Sequence, residues 1–155
     1  MASLGLLYKN GLYRRDPLPP FLARSYSEAA RWFRLGSDAG NLRAIAGLAE
    51  LYAIGKGVPN DIEQTFALHL RAAEGGWSRS AEALAHMYTF GVYVEKDPKR
   101  GLAWSKRAAD MGSPSSMSDV AHSCLHGHGN PRDLSCYAKF VVDLLETGRT
   151  VHFYR

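Results

Sequence analysis

Residues 41–76 read NLRAIAGLAELYAIGKGVPNDIEQTFALHLRAAEGG, and this stretch decides the fold because it encodes a complete helical hairpin. In its first half, apolar residues recur at the period of one helix face. These residues are Ala44, Leu48, Leu51 and Tyr52. Gly55 can adopt the left-handed conformation that ends a helix. Asp61 is a good N-cap for the next helix, and Gly76 closes the unit.

The same hairpin recurs along the chain. Three series of residues keep a constant step of 36 positions. They are Gly40, Gly76, Gly112 and Gly148; Gly55, Gly91 and Gly127; and Asp61, Asp97 and Asp133. One hairpin cannot bury the apolar faces of both its helices, whereas stacked hairpins can. We therefore predict an all-α fold, a right-handed α-solenoid of about four helix-turn-helix repeats of 36 residues.

The repeats divide nearly the whole chain, so we expect a single repeat domain at residues 1–155. The predicted repeats are residues 1–40, with an insertion at 17–24, and residues 41–76, 77–112 and 113–148. Residues 149–155, RTVHFYR, read as the truncated start of a further first helix. That pattern is what a fragment of a longer array would show.

Composition and charge narrow the function classes. The net charge is +4, from 19 Lys and Arg against 15 Asp and Glu, and no long basic run is present. We therefore expect no nucleic-acid partner. No apolar run reaches the roughly 18 residues of a membrane helix, so we expect no membrane insertion. The start, MASLGLLYKNG, lacks a signal-peptide pattern. Because a removed signal peptide leaves no trace, a cytoplasmic, a periplasmic and a secreted location all stay open.

The spaced residues of the second repeat also form a family pattern. They are Ala44, Leu48, Tyr52, Gly55, Gly57, Val58, Pro59, Asp61, Ala72, Ala73 and Gly76. The pattern resembles the Sel-1-like repeat, a relative of the tetratricopeptide repeat. Tyr93 replaces the second loop glycine in the third repeat, and the fourth repeat departs most. The resemblance implies a non-enzymatic scaffold without a cofactor, common in bacteria, that binds a protein or peptide. A regulatory or effector-immunity subunit is one concrete form.

In a tetratricopeptide-like stack, one flank of each first helix lines a concave groove. The partner-binding positions expected there are Arg43, Glu50, Ile54, Arg79, His86, Phe90, Asp119, His122 and His126. Their apolar members would provide affinity and their charges orientation. The alternative is a plain solvated face. In the insertion PLPPFLAR, Phe21 and Leu22 are either partner contacts or part of a tolerated loop.

Residues 121–130, AHSCLHGHGN, suggest a different function. His122 and His126 can chelate a metal as a pair four residues apart, and His128 could swing in. A small hydrolase or metal-dependent enzyme using this cluster is thus the alternative function. Zinc sites need three or four protein ligands, so we predict neither a metal nor a catalytic residue. We likewise expect His69 to be buried rather than catalytic.

The cysteines and the chain ends add two expectations. Cys124 and Cys136 flank the loop of the fourth repeat, and a disulfide between them is conceivable. Cys136 corresponds to Arg100, however, which we expect to point outward. Two free thiols are therefore predicted. Self-association is a third alternative for function, since both ends of the stack look uncapped.

Overall fold

A computed structural model describes Ser3, Gly5, Leu6 and residues 25–127 and 131–146, with only the backbone given for 143, 144 and 146. Within these residues the chain forms seven helices of 13 residues each and no strand, besides helical Ser3, Gly5 and Leu6. The helices are α1 (Tyr26–Asp38), α2 (Leu42–Ile54), α3 (Ile62–Glu74), α4 (Ser78–Phe90), α5 (Pro98–Asp110), α6 (Pro114–His126) and α7 (Leu134–Glu146). They form two compact units, Met1–Gly75 and Gly76–Arg155. The predicted all-α character is confirmed.

Most helices begin at a side chain that satisfies a free backbone amide. The carboxylates of Asp61 and Asp97 accept from the amides of Gln64 and Arg100, at 2.9 and 3.0 Å. The Ser113 hydroxyl accepts from the amide of Ser116 at 3.2 Å, and Pro114 follows it at the first helical position. The cap predicted at Asp61, and expected at Asp97 from the repeat, is confirmed. The α4 helix differs, because Trp77 at its start makes no side-chain cap bond.

The loop inside each hairpin repeats one hydrogen bond. The amide of each repeat aspartate donates to a carbonyl oxygen nine residues earlier, near the end of the first helix. These bonds join Asp61 to Tyr52 at 3.2 Å, Asp97 to Tyr88 at 2.8 Å and Asp133 to Cys124 at 2.8 Å. Just before the loop, Gly55, Gly91 and Gly127 end their helices with φ of 64°, 73° and 78°. The bond and the glycine together fix how the chain turns back.

The second loop glycine is kept for a steric reason in the second repeat and lost in the third. Gly57 has φ 74°, and a Cβ there would lie 2.7 Å from the amide nitrogen of Ser27 and would also meet the backbone of Tyr26. At the corresponding position Tyr93 has φ 68°, in the left-handed region that a bulky residue rarely adopts. That conformation costs roughly 1–2 kcal/mol in a residue with a Cβ.

We predict that Tyr93→Gly stabilises the protein. Release of the left-handed strain outweighs the extra chain entropy of glycine, for a net gain of roughly 0.5–1 kcal/mol. Thermal and urea unfolding would measure it. The matched control is Gly57→Tyr, which must lose stability because the Tyr26 backbone occupies the space. A lower melting temperature for Tyr93→Gly would contradict the prediction.

In the first unit the core is organised around Phe33. Its ring is fully buried and lies close to the backbone of both Gly5 and Gly47. A Cβ added to Gly47 would lie 2.7 Å from the ring, so glycine allows the two helices to approach this closely. Arg71 of α3 ties back to the end of α1, donating to the carbonyl oxygen of Ser37 at 2.9 Å. Packing and this bond together join α1, α2 and α3.

In the second unit, buried side chains from three helices form one cluster. It comprises Leu102, Ala109, Met117, Val120, Ala121, Cys124 and Phe140, with Cys136, Tyr137 and Val141 packed against it. Small alanines at the α5 and α6 positions let the helix backbones approach, while Val120 and Phe140 fill the space. This cluster fixes α6 relative to α5 and so positions the site described below.

Cys124 and Cys136 form a disulfide with a Cα–Cα distance of 5.9 Å, so the expectation of two free thiols is wrong. The error came from treating the slot of Cys136 as outward. In the preceding repeat, the residues at the same two slots are Tyr88 and Arg100, and the Arg100 guanidinium lies 5.8 Å from the Tyr88 ring centroid. The slot therefore faces the first helix of its own hairpin. Cysteines at both slots are within bonding reach.

We expect the denatured, non-reduced protein to contain no titratable thiol. Because the bond links positions 12 residues apart, reduction should lower the free energy of unfolding by about 3 kcal/mol, through the restored freedom of the unfolded chain. Thermal unfolding with and without a reductant measures this loss. In the Cys124→Ala/Cys136→Ala variant, the reductant should have no effect. Two thiols per chain in the native protein would overturn the assignment.

Candidate functional site

A cleft of about 870 Å³ opens in the second unit, between α4 and α6 with α5 contributing to its wall. It brings together five of the nine predicted groove residues: Arg79, His86, Phe90, Asp119 and His122. They come from equivalent flanks of two successive first helices, as the repeat register predicts. His126 lies one turn beyond His122 on α6, exposed and outside the lining of the cleft. A role of any of these residues in partner binding stays a prediction.

The predicted positions of the first unit lie on α2. Arg43, Glu50 and Ile54 are all exposed, and Ile54 retains 51% of its accessible surface. Glu50 influences the buried His69 of α3. Burial lowers the pKa of His69, and the negative charge of Glu50 opposes that shift. The expectation of a buried His69 is confirmed, since 7% of its surface is accessible.

One end of the cleft is apolar. The Phe90 side chain is 64% exposed, although it is among the largest apolar groups in the described part of the chain. The His86 ring tilts against it, with 4.6 Å between ring centroids. Leu102 of α5 lies in the wall of the same cleft. An exposed aromatic ring held at a concave surface is the usual form of an anchor for a partner side chain.

Two carboxylates, those of Glu82 and Asp119, line the cleft. Glu82 of α4 accepts hydrogen bonds from the hydroxyls of Ser115, at 3.0 Å, and Ser113. Asp119 of α6 lines the same cleft. Burial raises the pKa of the Asp119 carboxyl, the nearby Glu82 charge raises it further, and His122 opposes the rise. The two carboxylates therefore repel one another across the space between α4 and α6.

Glu82 is the functional candidate that sequence reasoning missed. The flank of α4 that was predicted to line the groove runs through Arg79, Ala83 and His86. Glu82 directly precedes Ala83 in the sequence and so lies beside this flank. Glu82 could have been found by comparing the residues at the same position of successive repeats. The slot of Glu82 holds Ala46 in the second repeat and Ser118 in the fourth, both of them small residues. A long acidic side chain at a repeat position that otherwise holds small residues indicates a role particular to the third repeat.

We predict that Asp119→Asn raises the melting temperature at pH 7. The folded-state pKa of Asp119 lies above its unfolded value, so the charged form disfavours folding. The advantage of asparagine should therefore grow as pH rises through this range and vanish below about pH 3. Melting temperatures measured across pH test the sign.

Asp133→Asn is the control of opposite sign. Hydrogen bonds from the Ser135 side chain and the Cys136 amide lower the pKa of Asp133. Charge at Asp133 thus favours folding, and its removal should reduce stability at pH 7 but not at acidic pH, where both states are protonated. Equal and parallel pH profiles for the two variants would contradict the assignment.

The proposed metal cluster is only partly within the described residues. The His122 and His126 rings lie 4.4 Å apart between centroids and tilt at 45°. Cys124 is fully buried and bonded to Cys136, so its sulfur is not available as a thiolate. Among the side chains that the structure describes, no group of three or more His, Cys, Asp or Glu could hold a metal ion. His128 lies outside the described residues.

The predicted loop contacts, Phe21 and Leu22, also lie outside the described residues, as does the whole insertion at 17–24. Their role stays a prediction. Among the helices that the structure does describe, none is long and apolar enough to cross a membrane.

Comparison with known proteins identifies the repeat. A family model for the Sel1 repeat matches residues 1–41, 42–77 and 78–113. A protective antigen of uropathogenic Escherichia coli displaying an SLR fold superimposes with a TM-score of 0.77 and 23% identity, over 96% of this chain and 30% of the antigen. A Sel1 repeat protein from Oxalobacter formigenes gives 0.75 and 21%, over 95% and 57%. No curated protein sequence matches.

These similarities confirm both the predicted resemblance and the helical-repeat fold class. The chain spans less than two thirds of either solved protein, and at this identity the likeness shows the fold alone. The three matched repeats end at residue 113, so α6 and α7 lie beyond them. Their hairpin nevertheless keeps the Gly127 helix end and the Asp133 loop bond of the matched repeats.

Proposed function

This chain belongs to the Sel1 repeat family, and on that basis we propose that it is a non-enzymatic scaffold that captures a protein or peptide partner. The observation that supports this function is the cleft of the second unit. Its Phe90 ring is 64% exposed beside charged groups that are fixed by their own helices. Apolar anchors surrounded by polar groups are typical of surfaces that bind other proteins.

Helix ends and loops explain the remaining polar residues of the site without catalysis. The Ser113 hydroxyl caps α6, and the hydroxyls of Ser113 and Ser115 donate to Glu82. The sequence contains no GxSxG, HExxH or Walker motif, the patterns that mark common catalytic sites. The finer role, a regulatory or effector-immunity subunit, is a hypothesis that identification of the captured partner would test.

The disulfide bears on the compartment. Disulfides persist in oxidising environments and are rare in the cytosol. The Cys124–Cys136 bond therefore supports a periplasmic or secreted location over a cytoplasmic one. Fractionation of the native host, with thiol labelling before lysis, would test this location.

Capture from the native host tests the scaffold function. The wild-type protein should retain the same partner in repeated experiments, and Phe90→Ser with His86→Ser should lose it while keeping its helical circular dichroism. The matched control is Leu134→Ser, because Leu134 is an equally exposed apolar residue of the second unit outside the cleft. Retention of the partner by the Phe90/His86 variant would exclude the cleft as the binding site.

A further inference from the structure

The charges that line this cleft also indicate which kind of ligand it binds, an inference that rests on the proposed function. Its two carboxylates, Glu82 and Asp119, face a common space from different helices. The ion pairs of Glu28 with Arg31 and of Asp97 with Arg100 both lie outside the cleft. Neither cleft carboxylate forms an ion pair with a lysine or arginine of the described chain.

The Glu82 carboxylate is oriented so that one of its oxygens can accept a further hydrogen bond. Both of its hydrogen bonds, from Ser113 and Ser115, reach the same oxygen, Oε1. They orient the carboxylate and leave Oε2 without a hydrogen bond to any residue that the structure describes. Asp119 likewise makes no hydrogen bond within the described chain, and its main electrostatic neighbour is Glu82 itself. A cation between the two groups would remove their mutual repulsion and gain charge-assisted hydrogen bonds.

Two basic residues also line the cleft. Arg79 is near the start of α4, one turn before Glu82, and Lys96 lies in the loop after Phe90. Along α4, Glu82 therefore lies between Arg79 and the Phe90 ring, and the loop with Lys96 lies beyond that ring. Charge complementarity selects a basic side chain for the carboxylates and an apolar one for the ring.

The spacing of these two subsites follows from helix geometry. Glu82 and Phe90 are eight residues apart on one helix, or roughly 12 Å along its axis. An extended peptide advances about 3.3 Å per residue, and side chains four residues apart point to the same face. Such a peptide can place one side chain between the carboxylates and another on the ring when the two are four residues apart.

We propose that this cleft binds an extended segment of a partner protein, with a lysine or arginine seated between Glu82 and Asp119 and an aromatic or aliphatic side chain, four residues away, packed on Phe90. The carboxylates orient the segment, and the ring supplies the apolar contact area. Arg79 and Lys96 disfavour further basic residues at the two ends, so the segment carries one central basic residue rather than a basic run.

Panning a random dodecapeptide phage library on the whole protein tests this proposal. Selected peptides should be enriched for Lys or Arg four positions from an aromatic or aliphatic residue. Synthetic peptides from the selection should bind Glu82→Gln/Asp119→Asn at least about tenfold more weakly in fluorescence anisotropy. Their affinity should also fall as salt rises. Asp119→Asn alone should weaken binding in the same direction if the double variant folds poorly.

The outcomes separate this inference from the function on which it rests. Peptides that depend on Phe90 but show no basic enrichment, or that bind the Glu82→Gln/Asp119→Asn variant unchanged, would overturn the basic subsite and leave the scaffold function standing. Enrichment of acidic residues would overturn it as well. If no selected peptide loses affinity for Phe90→Ser while keeping affinity for the Leu134→Ser control, both the cleft and the proposed function fail.

Discussion

The hydrogen bond from each repeat aspartate amide to a carbonyl of the preceding helix is the constraint on which the rest of the structure depends. It recurs at Asp61, Asp97 and Asp133, always across the same nine-residue interval. Together with the left-handed glycine before the loop, it fixes the direction in which the second helix leaves. Once that direction is fixed, the alanines of the two helices meet at close range and the outer flanks become available for other chemistry.

A fixed frame makes each position of the repeat comparable with its counterparts. The slots filled by Tyr88 and Arg100 in one hairpin hold Cys124 and Cys136 in the next. A stacking contact between a cation and a ring is thus replaced by a covalent bond without a change in the loop. Glu82 is a second case, since its slot holds small residues in two other repeats. The frame stays constant while single slots acquire individual roles.

The sequence was sufficient for those features that depend on local chemistry. Periodicity located the helices, capping residues such as Asp61 and Asp97 located their starts, and the glycine at position 127 located the end of α6. Features that depend on contacts between helices were harder to foresee. Arg100 is an exposed arginine, and only its approach to Tyr88 shows that its position faces the first helix of the same hairpin.

The same limit applied to the candidate site. The flank of α4 predicted from the sequence includes Arg79, His86 and Phe90, which do line the cleft, but it does not include Glu82. Glu82 also lines the cleft, because the cleft extends round the helix towards α6. The width of a groove depends on how neighbouring helices pack, which in turn depends on side-chain volumes distributed over several repeats. A position beside the predicted flank can therefore be as important for binding as one on it.

The disulfide between α6 and α7 also affects how unfoldases and translocation channels can act on the chain. Unfoldases and translocation channels draw in a polypeptide as a single thread, and the bond joins two points 12 residues apart. While it is intact, a stretch that would extend to about 40 Å travels as a doubled loop instead of being drawn out. Passage of this hairpin through a narrow pore then requires either a wider opening or prior reduction of the disulfide, so translocation of the chain depends on the redox state of its surroundings.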